Sequence, residues 1–91
     1  MNYSDHAYDL WTATFPQLAE QCKLVAENHT GTIDEAYQQE AQRLYTAWQE
    51  ALAMPEHDHT LHFEAGARKA AALGGLRKRT IEILVKLRGE L

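Results

Sequence analysis

The chain has 91 residues, 45% hydrophobic and 24% charged, with nine Lys and Arg against thirteen Asp and Glu for a net charge of −4. That length makes one domain, able to fold alone with little stability in reserve. A single cysteine, Cys22, excludes an internal disulfide and a multi-cysteine zinc site, and no apolar run approaches the ~18 residues of a membrane span.

Alanine supplies much of the apolar fraction while Ile, Val and Phe are few, which favours helix–helix contact over a sheet. The fold class expected is therefore all-α. Residues Met1 to His6 show no basic segment followed by an apolar run, so they do not read as a secretory signal. With the lone cysteine, this predicts a soluble cytoplasmic protein.

The first helix is expected to begin at Ser4, an N-cap with Asp5 in the first turn. Its apolar stripe runs Ala7, Trp11, Phe15, Leu18, Cys22, Val25 at helical spacing, straight through Pro16. Proline inside a helix costs about 3 kcal/mol. The helix therefore either kinks at Pro16 or restarts with Thr14 as cap and Gln17 three residues later. Asn28-His29-Thr30-Gly31 ends it. Thr32 and Glu35 stand at capping-box spacing before a second stripe, Ile33, Tyr37, Ala41, Leu44, Trp48, Ala51, stopped by Met54-Pro55. These two segments predict an antiparallel hairpin over 1–54, with Trp11 and Trp48 on facing stripes.

A polar linker follows over 55–60, containing Glu56-His57-Asp58-His59. Thr60 is placed as the cap of a third helix over 61–73, ended by Gly74-Gly75, and a fourth runs from Leu76 to Lys86–Arg88. The expectation is a single domain over 1–91 in a four-helix arrangement: an acidic hairpin, the linker, and a basic helical pair over 61–91. At roughly 100° per residue, Ile81 and Val85 point away from Leu76, Ile83 and Leu87. A second apolar surface on so small a domain makes Ile81, Val85 and Leu87 candidate contacts of a homodimer or a protein partner.

Seven of the nine cations fall in the last 24 residues: Arg68, Lys69, Arg77, Lys78, Arg79, Lys86 and Arg88. A concentrated basic end on an acidic protein is where an anionic partner would bind. Ala71 lies four residues before Gly75, Leu76 follows it, and Ile81 and Leu84 come six and nine residues after it. That is the spacing of a DNA-binding helix–turn–helix, with Arg77, Lys78, Arg79 and Thr80 opening the recognition helix and Lys69 and Lys86 as supporting phosphate contacts. The same segment also reads as a basic terminal helix packed on the acidic hairpin or on a partner.

Gly75-Leu76-Arg77-Lys78-Arg79-Thr80-Ile81 and the closing Gly89 resemble the helix–turn–helix of the Fis-type nucleoid and inversion factors. The resemblance covers residues 69–89 and departs at Glu82 and Ile83, where that family tends to carry basic residues. It implies dimeric DNA binding through paired recognition helices, so the function expected is a small DNA-binding regulator of transcription.

The alternative expectation is a helical protein–protein interaction module. It would be an inhibitor of the kind phages and plasmids carry, or an accessory subunit, using the acidic hairpin and the apolar C-terminal helix. Leu44-Tyr45-Thr46-Ala47-Trp48-Gln49-Glu50-Ala51-Leu52 is similar to a segment of nitrile hydratase β subunits and their accessory proteins, with Asp34-Glu35 upstream. That similarity implies a subunit-contact role without chemistry of its own.

His57, His59 and His62 cluster with Glu56, Asp58 and Glu64, a donor set suited to zinc or nickel, although the connector reads more simply as solvated chain. Ser4 is the only serine, and Cys22 lies on an apolar stripe as a buried small residue. Gly74-Gly75 has neither a preceding strand nor a following Gly-Lys-Ser/Thr. No catalytic residue and no cofactor are expected, and the chain does not read as an enzyme.

Overall fold

A computed structural model of the protein describes residues 10, 12–55 and 63–90. Among these there are three helices and no strand: α1 (Phe15–Glu27), α2 (Glu35–Ala53) and α3 (Phe63–Glu90). The chain is all-helical, as its composition predicts. The expected four-helix arrangement is not what forms among these residues.

Pro16 splits the first segment; it does not kink it. Leu10 and Thr12 have helical backbone, the chain leaves the helix at Ala13 and Thr14, and α1 begins at Phe15. Thr14 Oγ1 accepts from the Gln17 amide at 3.3 Å, and Gln17 Oε1 accepts from the Thr14 amide at 2.8 Å. With this reciprocal cap, Pro16 falls in the first turn, where a helix has no use for its missing N–H. Asn28, left-handed at φ 48°, closes α1. Its side chain then clamps Ile33, Nδ2 donating to the Ile33 carbonyl at 3.3 Å and Oδ1 accepting from the Ile33 amide at 3.2 Å. That clamp holds Ile33 outside the next helix and corrects the start expected at Thr32. Asp34 is the cap, its carboxylate accepting from the Ala36 amide at 2.9 Å. Gly31, at φ 68°, supplies the other left-handed position of this turn.

Phe15 lies beside Trp48, with ring centroids 5.7 Å apart, and Gln38 Nε2 donates to the Ala26 carbonyl at 2.8 Å. Residue numbers rise on one helix as they fall on the other, so α1 and α2 are antiparallel, as their stripes predict. Trp11, expected to face Trp48, lies outside the described residues. Leu18, Cys22 and Val25 of α1 and Ala41, Leu44, Trp48 and Ala51 of α2 are buried, with Leu10 beside them. Met54 is extended at φ −64°, ψ 145°, as the residue before Pro55 should be, and ends α2.

The largest departure is α3. Its 28 residues run unbroken through Gly74-Gly75, where two helices and a turn were expected. Two interior glycines cost about 1 kcal/mol each relative to alanine. Good helix formers flank them, from Lys69 to Leu73 and from Leu76 to Arg79, with no proline among them. Leu73, Leu76 and Thr80, spaced three and four apart, bury one continuous face across the glycines. Packing along that face outweighs the glycine penalty, because each buried leucine contributes roughly 1.5–3 kcal/mol. The helix packs on both α1 and α2. Its buried arc is correspondingly wide and takes in Ile81 and Leu84 as well.

Candidate interaction face on the third helix

The residues expected to open a recognition helix are distributed around an uninterrupted rod, and no turn presents them together. Thr80 is 1% exposed and sits at the centre of the core, which removes it from any nucleic-acid contact. Its Oγ1 accepts from Trp48 Nε1 at 2.9 Å and lies 3.5 Å from Cys22 Sγ. One residue from each helix thus meets in a buried polar knot. Sequence reasoning missed it because the break placed at Gly74-Gly75 disconnected Thr80 from its register. On a continuous helix Thr80 stands seven residues after Leu73 and four after Leu76, on their face.

Lys69 is half-buried, and its Nζ donates to the Leu52 carbonyl at 3.2 Å. That carbonyl belongs to the last turn of α2, where carbonyls lack helical partners and the dipole favours a cation. Lys69 is therefore placed as a cap for α2, in contrast to the phosphate contact expected of it. Arg77 is half-buried, whereas Lys78, Arg79 and Lys86 are exposed, as binding would require. Among the described residues these three make no ion pair, whereas His29 pairs with Glu27 at 3.0 Å and Arg43 with Glu40 at 3.5 Å.

Of the apolar contacts expected on the last helix, Ile81 is 4% exposed and belongs to the core. The core takes up Ile81 within the chain, so it is unavailable to a partner. Leu87 is half-buried against the core, and Val85, at 46%, remains exposed. His57, His59 and His62 lie outside the described residues, as does the linker they occupy. Among the described residues no three His, Cys, Asp or Glu gather as a metal site, and no helix is long and apolar enough to cross a membrane.

What α3 offers to the outside is a strip of exposed residues opposite its buried face: Arg68, Ala71, Gly75, Arg79, Glu82 and Lys86. Beside it opens a shallow cleft of about 390 Å³ between α2 and α3. Ala47, Ala51 and Met54 line one wall, and Ala71, Ala72, Gly75 and Leu76 line the other, with Glu50 and Arg79 at the rim. The floor is apolar because alanine methyls, with Leu76 and Met54, supply most of its lining. Glu50 and Arg79 give the rim one charge of each sign. Of the other described acids of the hairpin, Glu20, Glu27, Asp34 and Glu35 are exposed and Glu40 is half-buried, a largely solvated surface.

Cys22 is buried and free. Burial pushes its thiol above the ordinary 9.0, and the contacts with Thr80 and Trp48 offset part of that rise. A raised folded-state pKa gives a contribution to stability that is complete below the unfolded value and declines as pH rises past it. The expected result is a native thiol that reacts with iodoacetamide far more slowly than the unfolded chain, and a denaturation midpoint that falls once pH exceeds about 9. Rapid alkylation under native conditions would contradict this placement.

No protein family, curated protein or solved structure matches the chain.

Proposed function

We propose that this chain is a non-enzymatic helical interaction module of the cytoplasm, which presents the outer face of α3 and the adjoining α2–α3 cleft to a protein partner. The observation that carries this reading is the continuity of α3. A single rod through Gly74-Gly75 turns what would have been two short DNA-reading helices into one long docking face. The cleft adds an apolar floor with a rim carrying both signs, the mixture that protein contacts use at their core and edge. The role would be that of an inhibitor or accessory subunit, with affinity and specificity in place of chemistry.

The test is affinity capture with the full chain from nuclease-treated extract, followed by reconstitution with the purified partner. Ala47→Glu, at the half-buried cleft wall, is expected to weaken the reconstituted complex, and Glu20→Ala on the solvated hairpin to leave it unchanged. Equal behaviour of the two variants would remove the cleft from the reading.

A second reading is favoured by Lys78, Arg79 and Lys86, exposed and without ion pairs among the described residues. They suit phosphate contacts along a duplex, made from the side of a helix without a recognition turn. Three such contacts would weaken binding about 40-fold between roughly 50 and 200 mM salt. Fluorescence anisotropy with duplex DNA reads this directly, and changing all three to alanine should abolish it. Salt-independent or undetectable binding would leave the protein-partner reading alone.

A further inference from the structure

The stretches of α3 on either side of Gly74-Gly75 are held to the rest of the chain very unequally. On the C-terminal side Leu76, Thr80, Ile81 and Leu84 are buried, and Thr80 accepts from the Trp48 indole at 2.9 Å. On the N-terminal side no side chain over 66–72 is buried: Gly66, Lys69 and Ala72 are half-buried and the other four residues exposed. These are small residues and two cations, so little apolar surface leaves water when they pack. Leu73, against the glycines, is the first buried residue of the described stretch.

The glycines sit where the anchoring changes. A Cβ added at either meets nothing within 4 Å, and neither has a left-handed backbone, so neither packing nor conformation requires glycine there. Their effect is to weaken the helix at one point. We infer that Gly74-Gly75 is a hinge, about which residues 63–73 swing off α2 as an arm while residues 76–84 stay in the core.

The α2–α3 cleft lies across this hinge. Ala71 and Ala72 of its wall belong to the arm, and Leu76 and Arg79 to the anchored part, so the swing opens the cleft at its Ala71–Ala72 end. Lys69 is the latch. Its Nζ donates to the Leu52 carbonyl at 3.2 Å, a charge-assisted bond to the last turn of α2 that holds the arm down. With α3 starting at Phe63, the arm is shorter than the roughly 12–15 residues an isolated helix needs in water, so each opening also unwinds it. As a way of admitting a partner, the hinge rests on the reading of the cleft as a docking site. As a motion of α3 it stands on the burial pattern alone.

Hydrogen–deuterium exchange of the full chain, read by mass spectrometry on overlapping peptides, tests the hinge. Amides of 67–73 are expected to exchange about tenfold or more faster than those of 78–84. The change should come as a step just after the glycines, because amides of 74–77 bond to carbonyls of the arm. Ile81→Val, in the anchored part, should speed 78–84 by about threefold or more and leave the arm unchanged, since the arm opens without exposing Ile81. Lys69→Met should speed the arm severalfold, the latch being broken in every opening. Equal rates in the two parts overturn the hinge, as does a smooth gradient from 67 to 84, which is fraying. So does an Ile81→Val variant that speeds both parts alike, or a Lys69→Met variant that leaves the arm as slow as before. A clear step in a chain whose reconstituted complex is indifferent to Ala47→Glu supports the motion and removes its role at the cleft.

Discussion

Trp48→Ala is expected to lower the unfolding free energy by about 3–5 kcal/mol, the range for removing a fully enclosed aromatic side chain. The whole stability of a 91-residue domain amounts to roughly 5–14 kcal/mol. One substitution therefore removes a large share of it, because Trp48 is 0% exposed at the meeting point of all three helices. It packs on Phe15 of α1 and donates its indole N–H to Thr80 of α3. The packing and hydrogen-bond contributions separate in a double-mutant cycle. Thr80→Val keeps the shape and leaves the indole N–H without an acceptor, a loss of about 1–3 kcal/mol. Trp48→Phe keeps an aromatic ring and removes the donor. Once either partner is gone, removing the other should cost markedly less, since no orphaned donor remains to be desolvated. Urea denaturation followed by far-ultraviolet circular dichroism reads all four corners. Additive single effects would mean that the Trp48–Thr80 bond contributes nothing of its own.

How much of this was legible beforehand depended on whether the deciding interactions are local. The hairpin was, since Thr14 and Gln17 cap α1 through contacts three residues apart, and the Leu18-Cys22-Val25 and Leu44-Trp48-Ala51 stripes announce their buried faces by period alone. The start of α2 was misplaced because Asn28 reaches five residues ahead to hold Ile33, a contact with no helical spacing to reveal it. The helix break failed for a different reason. Gly74-Gly75 carries a real local penalty, and what overrides it is tertiary: Leu73, Leu76 and Thr80 are buried along one face of α3, with Thr80 against Cys22 of α1 and Trp48 of α2. Misplacing the break had consequences for the site. It made Thr80 a DNA contact when it is a core hydrogen-bond acceptor, and it made Ile81 an interface residue when it is buried in the core. The exposed cations Lys78, Arg79 and Lys86 needed no fold to identify them, because charge of one sign on the outer arc of a helix stays in water wherever the helix packs.

The same two glycines supply the second large effect. Changing both Gly74 and Gly75 to alanine is expected to stabilise the monomer by about 1–2 kcal/mol in total, through helix propensity and a less flexible unfolded chain. For a domain of this size that raises the melting temperature by roughly 4–8 °C per kcal/mol. Neither added methyl meets an atom within 4 Å, so no packing loss offsets the gain. Thermal melts must be made at a concentration low enough to keep the chain monomeric, since association with a second copy would add to the apparent stability. Under those conditions a double variant that melts at or below the parent temperature would show that α3 does not pass through Gly74-Gly75 as a regular helix.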